Sequence, residues 1–175
     1  GKEAIQLGKA KVVLAGGVES MTQAPTLKKT DGTEVKSLFY DGLTDAFSNA
    51  PMGLTAEKVA EMYGVSRKEQ DEFAYLSQKK AAKAWAENKF SKELAPMKEL
   101  QIDEGIRKET TLEKLATLEP VFKENGTVTA GNASTINDGA AGVLLCSKRF
   151  AEEMNWPYLA ILKESVEIGF DPSIM

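Results

Sequence analysis

The 175-residue chain contains no histidine and a single cysteine, Cys146. Without histidine, the usual proton shuttle of Ser-His-Asp and Cys-His catalysis is missing, so neither can be completed within this chain. A zinc site built from Cys and His ligands is equally excluded, and a lone thiol cannot form an intramolecular disulfide. We therefore expect no metal site and no histidine-dependent chemistry within these residues.

Long apolar runs and an excess of basic charge are also missing. The longest apolar stretches, residues 12–17 and 140–146, are far too short to span a bilayer, and the first residues lack the apolar run of a signal peptide. Lys and Arg number 22 against 26 Asp and Glu, a net charge of −4, which is not the balance of a nucleic-acid binder. The expectation is a soluble, cytoplasmic protein with neither a nucleic-acid nor a membrane partner.

The patterns at the two ends of the chain predict an α/β fold. They indicate a buried strand over residues 12–17 and another over residues 140–146, each next to a helical pattern. Between them lies a largely helical insertion of roughly a hundred residues. The other elements predicted at the two ends are helices over residues 2–10 and 150–154 and a strand over residues 158–162. Residues 4–8 resemble the middle of a helix without a cap, so we expect the chain to be a piece of a longer protein.

Capping signals and apolar spacing predict the elements of the insertion. Residues 21–38 are polar and turn-rich, which is typical of a functional or subunit-contact loop. Phe73 and Leu76 belong to an apolar stripe at helical spacing that we expect to pack in the core. The predicted elements are a helix over 56–63 capped by Thr55 and stopped by Gly64, a helix from 67 to about 88 opened by the capping box of Ser66 and Glu69, an extended segment over 93–97 and a short helix over 111–118.

Three sequence features could carry chemistry. Residues 12–20 combine a strand with paired glycines but lack the third glycine of a dinucleotide-binding turn, so a nucleotide-dependent reductase is the weakest alternative. Cys146 lies in an apolar run, which predicts a buried structural thiol. Residues 127–141 gather small and polar side chains before a strand. That composition suits either a ligand-binding turn or a structural turn with local caps, and both interpretations stay open.

A family resemblance extends over essentially the whole chain. The segments that carry it, in order, are LAGGVESM (14–21), DGLTDAF (41–47), MGLTAEKVA (52–60), SRKEQDEFA (66–74), EGIR (104–107) and GTVTAGNASTINDGAA (126–141). Together they resemble the thiolase family, specifically its acetyl-CoA C-acetyltransferases. Within the family, the chain looks most similar to the acetoacetyl-CoA thiolases of Gram-positive mevalonate pathways, some of which are fused to a reductase.

The resemblance implies part of a five-layered αβαβα core with a loop-domain insertion. Residues 1–18 would belong to the N-terminal half of the core, 19–136 to the CoA-binding loop domain with a tetramerisation loop at about 22–38, 137–156 to the last strand and helix of that half, and 157–175 to the start of the C-terminal half. The implied parent is a dimer or tetramer active in mevalonate or fatty acid metabolism. The remainder of the polypeptide is the implied partner of this chain.

The implied reaction joins two acetyl-CoA molecules into acetoacetyl-CoA and CoA through an acyl-cysteine intermediate. The two family cysteines and the histidine that perform it lie outside this chain, so we expect these residues alone to be inactive. No cofactor is implied, because the CoA thioester is the substrate. The competing hypothesis is a non-catalytic structural or assembly fragment that binds no ligand.

The resemblance also assigns CoA-contacting residues. Ser134 matches the serine that hydrogen-bonds the pantetheine arm, and Arg107 matches the residue beside the adenine and its phosphates. The remaining assignments are Ala130 and Ala133 in the pantetheine wall and Phe122, Leu43 and Met52 in the apolar lining. Pro51 departs from several relatives, which have histidine there. The alternatives are that Arg107 is an ordinary exposed cation and that Phe122 and Leu43 are core residues.

Overall fold

A computed structural model describes residues 1–174, which fold into two compact units. The sheet unit contains residues 1–25 and 136–170, and the helical unit contains residues 26–135 and 171–174. Met175, the last residue of the predicted segment 157–175, lies outside the described residues. The elements, in order, are α1 (Lys2–Gln6), β1 (Val12–Ser20), β2 (Thr26–Lys28), β3 (Glu34–Lys36), a π-helical turn (Leu38–Gly42), α2 (Met52–Tyr63), α3 (Arg67–Ala86), α4 (Leu112–Ala116), β4 (Asp138–Cys146) and α5 (Lys148–Glu153).

Strands β1 and β4 pair antiparallel in the sheet unit, from Val12 opposite Cys146 to Ser20 opposite Asp138. The prediction that both strands are buried is wrong, since Leu14 is 77% exposed and most of β4 is exposed as well. An apolar strand becomes buried only when other layers cover the faces of its sheet, and within residues 1–174 this sheet has two strands. For the same reason Cys146 is half-buried rather than a core thiol.

The strand predicted over residues 158–162 does not form. This stretch has no regular structure, and Leu159 is fully exposed. A strand needs a neighbour that satisfies its backbone hydrogen bonds, and no strand within the described residues pairs with this one. Residues 93–97, predicted to be extended, contain neither helix nor strand, and the segment begins in a turn where the Glu93 and Leu94 N–H groups donate to the Phe90 carbonyl at 2.9 and 3.1 Å.

Most local signals in the helical unit are confirmed. The Gly64 stop after α2 has a left-handed φ of 64°, and Ser66 and Glu69 form the capping box of α3. Residue Thr111 caps α4 through its side chain. The cap predicted at Thr55 is wrong, since α2 already begins at Met52 after Pro51. Backbone acceptors serve the first N–H groups instead of a side-chain cap, since the Met52 N–H donates to the Leu43 carbonyl at 3.0 Å and the Leu54 N–H to the Pro51 carbonyl at 2.9 Å.

Two further expectations in the helical unit are corrected. Residues 21–38, predicted to be irregular, contain the hairpin of β2 and β3, whose turn is closed by Asp31 accepting from the Thr33 backbone N–H at 2.9 Å. Three-residue strands are too short to show an alternating pattern in sequence. The α3 stripe is also more exposed than predicted, since Phe73 is 77% exposed. Among residues 1–174, no helix is both long and apolar enough for a membrane crossing.

Candidate functional site

The turn formed by residues 127–134 contacts α2 and α3 of the helical unit. Thr129 is completely buried and forms a bridge with Pro120, and the Val121 backbone N–H donates to the Val128 carbonyl at 2.9 Å. The Ala133 N–H donates back to the Thr129 carbonyl at 3.1 Å, which closes the turn on itself. The first part of segment 127–141, for which two interpretations were open, is thus fixed by hydrogen bonds and leads to Ser134, whereas residues 138–141 belong to β4.

Helix α2 holds the beginning of this turn through a buried carboxylate. Glu57 is 5% exposed and accepts from the Val128 N–H at 2.7 Å, from the Thr127 N–H at 2.8 Å and from the Thr127 hydroxyl at 2.9 Å. Burial of the Glu57 carboxyl opposes its ionisation, but these hydrogen bonds, together with Lys123, outweigh that penalty and lower its pKa below the ordinary 4.5. Glu57 is therefore charged at neutral pH.

Helix α3 holds the other end of the turn. Asp71 is 4% exposed, pairs with Arg67 at 2.8 Å and accepts from the Asn132 side-chain amide at 3.0 Å. The same amide group donates to the Thr127 carbonyl at 3.0 Å, and the Asn132 side-chain oxygen accepts from the Thr129 N–H at 2.8 Å. Asn132 thus joins both ends of the turn to α3, which is the structural role that the local-cap interpretation foresees.

The structure places Ala130, Ala133 and Ser134 along this turn. Ala130 is exposed and Ala133 half-buried. Ser134 is exposed as well, and within residues 1–174 its hydroxyl makes no hydrogen bond. The backbone just before Ser134 is fixed by the hydrogen bond of Ala133, and the exposed Ser134 hydroxyl is available to an outside partner.

Leu43, Met52 and Phe122 gather at the start of α2. The Met52 N–H donates to the Leu43 carbonyl at 3.0 Å, and the Phe122 ring lies against the backbone of Gly53, in the place where a side chain would begin. The three side chains are only partly buried, with Phe122 37% exposed. Phe122 also lines an open concavity of about 450 Å³ formed by residues 119–125. These residues are therefore an accessible apolar surface, not a closed core.

Arg107 stands on a separate, exposed loop that α3 holds. Its backbone N–H donates to the Gln78 side-chain oxygen at 2.8 Å, and the Gln78 amide donates to the Gly105 carbonyl at 3.5 Å. Its guanidinium has no ion-pair partner among residues 1–174, so its charge is available to an anion. The structure thus groups six of the seven predicted residues in two places, and leaves Arg107 on its own.

Three residues that the sequence patterns did not indicate also shape the site: Glu57, Asp71 and Asn132. A charged residue within the inward-facing stripe of a helix was the available signal, since Glu57 lies one helical turn before the buried Ala60. Such a position predicts a buried, partnered carboxylate. Within residues 1–174, no group of three or more His, Cys, Asp or Glu side chains could hold a metal ion.

Comparison with known proteins shows the family. A family described as "Thiolase, N-terminal domain" matches residues 1–149 of the chain. The chain belongs to the thiolase family. A "Probable acetyl-CoA acyltransferase" of Staphylococcus aureus (strain COL) is 46% identical over 190 aligned positions, which cover 99% of this chain and 48% of the relative. The chain therefore spans about half the length of the curated thiolase relatives that it matches.

Solved thiolase structures show the same fold. Human mitochondrial 3-ketoacyl-CoA thiolase in complex with CoA matches with a TM-score of 0.80 and 38% identity, over 89% of this chain and 42% of that one. Acat5 thiolase from Ascaris suum in complex with coenzyme A matches with a TM-score of 0.80 and 40% identity, over 89% and 43% of the two chains. The predicted α/β thiolase fold, present here in part, is confirmed.

Proposed function

We propose that this chain is the CoA-contacting part of an acetyl-CoA C-acetyltransferase. The parent enzyme would join two acetyl-CoA molecules into acetoacetyl-CoA and CoA by a Claisen condensation through an acyl-cysteine intermediate. The observation that carries the proposal is the free, exposed Ser134 hydroxyl at the end of a fixed turn. The CoA complexes of two similar thiolase structures support the choice of ligand.

Each predicted residue has a role that suits its surroundings. The Ser134 hydroxyl would hydrogen-bond an amide of the pantetheine arm, beside Ala130 and Ala133, whose small side chains let the arm approach. Leu43, Met52 and Phe122 would cover its apolar atoms. Arg107 would contact the phosphates of CoA, for which its planar, permanently charged guanidinium is well suited.

The reacting groups of the parent enzyme would come from residues outside this chain. A chain without histidine, whose single cysteine lies at the end of β4, lacks the base that activates a thiolase nucleophile. We therefore propose that the rest of the thiolase polypeptide is the obligate partner. We also propose that residues 19–136 form the loop domain and that residues 22–38 contribute to the subunit contacts of a dimer or tetramer. The parent enzyme would work in the cytoplasm.

Titration of CoA into the purified chain, followed by calorimetry, tests the proposal. We expect CoA to bind saturably. Pantetheine should compete with CoA, and a nicotinamide dinucleotide should not. Failure of CoA to bind would favour the competing hypothesis of a structural or assembly fragment. Dinucleotide binding that CoA does not compete with would instead favour the reductase that the paired glycines Gly16 and Gly17 suggest.

A further inference from the structure

Two buried carboxylates on neighbouring helices end on the same turn, and neither belongs to the proposed ligand contacts. Glu57 of α2 reaches the first residues of the turn, and Asp71 of α3 reaches its last part through Asn132. Both side chains are at least nine-tenths buried. Burying a carboxylate is costly unless its oxygens are hydrogen-bonded, so two on one turn call for an explanation.

We propose that Glu57 and Asp71 are positioning residues, which hold turn 127–134 in the shape that accepts the pantetheine arm of CoA. The proposal rests on the proposed function of this turn as a wall of the CoA site. We expect neither carboxylate to touch the ligand. They act through the backbone that carries Ala130, Ala133 and Ser134.

Glu57 supplies the acceptors that the beginning of the turn needs. The N–H groups of Thr127 and Val128 point to the same carboxylate, which receives a further bond from the Thr127 hydroxyl. One carboxylate has enough lone pairs for all three donors, and its charge makes these bonds stronger than neutral ones. A Cβ at Gly126 would overlap the carboxylate, so the backbone comes this close only because residue 126 is glycine.

Asp71 fixes the other end through a neutral intermediary. Its charge is already balanced by Arg67, whose guanidinium also donates to the Leu115 and Leu118 carbonyls at 2.7 and 2.9 Å. The second Asp71 oxygen orients the Asn132 amide, and Asn132 in turn fixes the Thr129 N–H. Ser134 follows only two residues later. The two carboxylates therefore hold the turn at both ends, and the free hydroxyl comes just beyond.

Affinity measured per folded molecule separates positioning from general stability. A variant that is only less stable has an apparent Kd equal to its intrinsic Kd divided by its folded fraction, so multiplying by the folded fraction, measured by urea unfolding, returns an unchanged intrinsic Kd. If the turn itself loses its shape, the Kd rises. We expect Glu57→Gln and Asp71→Asn each to raise the Kd for CoA by roughly threefold to tenfold.

Thr127→Val is a milder test that removes one hydroxyl and leaves both helices intact. This hydroxyl donates to Glu57 at 2.9 Å and accepts from the Gln70 amide at 2.9 Å. We expect it to raise the Kd for CoA by about twofold to threefold. It decides the question if the carboxylate variants do not fold.

Matched controls come from the same helices. Glu61→Gln and Glu72→Gln change an exposed and a half-exposed carboxylate, which form ion pairs with Lys123 at 3.4 Å and with Lys68 at 3.8 Å. They should leave the Kd unchanged. The positioning variants should also bind pantetheine more weakly, while their affinity for the adenine-nucleotide half of CoA stays unchanged. Hydrogen exchange should become faster at the backbone amides of residues 127–133.

The possible failures are distinguishable. If the unsubstituted chain does not bind CoA, the proposed function fails and this inference with it. If CoA binds and Ser134→Ala weakens it, but the folded variants at residues 57, 71 and 127 keep the original Kd, the positioning roles are overturned and the proposed function stands.

Discussion

Ser134 is the residue whose removal should reveal the ligand most simply. Its hydroxyl is exposed and free of partners within residues 1–174, so Ser134→Ala removes nothing that the fold uses. We expect the variant to keep its thermal stability and to bind CoA roughly fivefold more weakly, about 1 kcal/mol. Ser91→Ala, at another exposed serine, is the control. Equal Kd values for both variants and the parent chain would remove Ser134 from the site.

Arg107 should contribute through charge alone. Arg107→Gln should lower the affinity for CoA but not for pantetheine, which lacks the nucleotide phosphates. The difference in CoA affinity between the variant and the unsubstituted chain should shrink as salt is added, because a surface charge is screened. Lys80→Gln removes the same charge from an exposed position of α3 and should have no such effect. Titrations at low and high salt check this. An equal loss of affinity for pantetheine would contradict a phosphate contact.

Structural roles that depend only on near neighbours in sequence could be predicted from the sequence. The Ser66 and Glu69 capping box and the Gly64 stop are confirmed because each involves only one turn of helix. Burial could not be predicted this way. Glu57 and Asp71 are charged residues at positions where only the tertiary fold, by bringing residues 127–132 to them, supplies donors.

Among the elements, α2 should carry an acid-dependent part of the stability. The lowered pKa of Glu57 means that its contribution is fully present above the ordinary pKa of 4.5 and is lost as the pH falls through the folded-state value. We expect Glu57→Gln to lower the free energy of unfolding by about 2–4 kcal/mol at neutral pH, because it leaves buried N–H groups with a poorer acceptor.

Urea unfolding from about pH 7 to about pH 3 measures this effect. The gap between the chain and Glu57→Gln should narrow as the pH falls. Glu61→Gln, on the exposed side of the same helix, should follow the pH profile of the unsubstituted chain. A gap that stays constant with pH would contradict the role of the charge at Glu57.

The strands show why element type is easier to predict than element surroundings. The apolar runs at residues 12–17 and 140–146 do form strands, as β1 and β4, but the faces of their sheet are open within the described residues. Residues 158–162 have strand composition and no strand partner, so no strand forms. Hydrophobic pattern indicates a strand, whereas pairing and burial depend on what else is present.

As a whole molecule, the chain has the fold of a thiolase in part and about half of a thiolase's length. We expect no acetoacetyl-CoA thiolysis by the purified chain, because the histidine that the family chemistry needs is absent from its sequence. A spectrophotometric assay of thioester cleavage, with a complete thiolase as positive control, checks this. Turnover that copurifies with the chain through successive columns would contradict it.

The central claim is that turn 127–134 forms a wall of a CoA site. Amide NMR shifts of the isotope-labelled chain, followed while CoA is added, test it most directly. We expect saturable shifts concentrated at residues 129–134 and near Arg107, and we expect pantetheine to reproduce the first group and not the second. Shifts confined to other segments, such as the paired glycines Gly16 and Gly17, or no shifts at all, would contradict it.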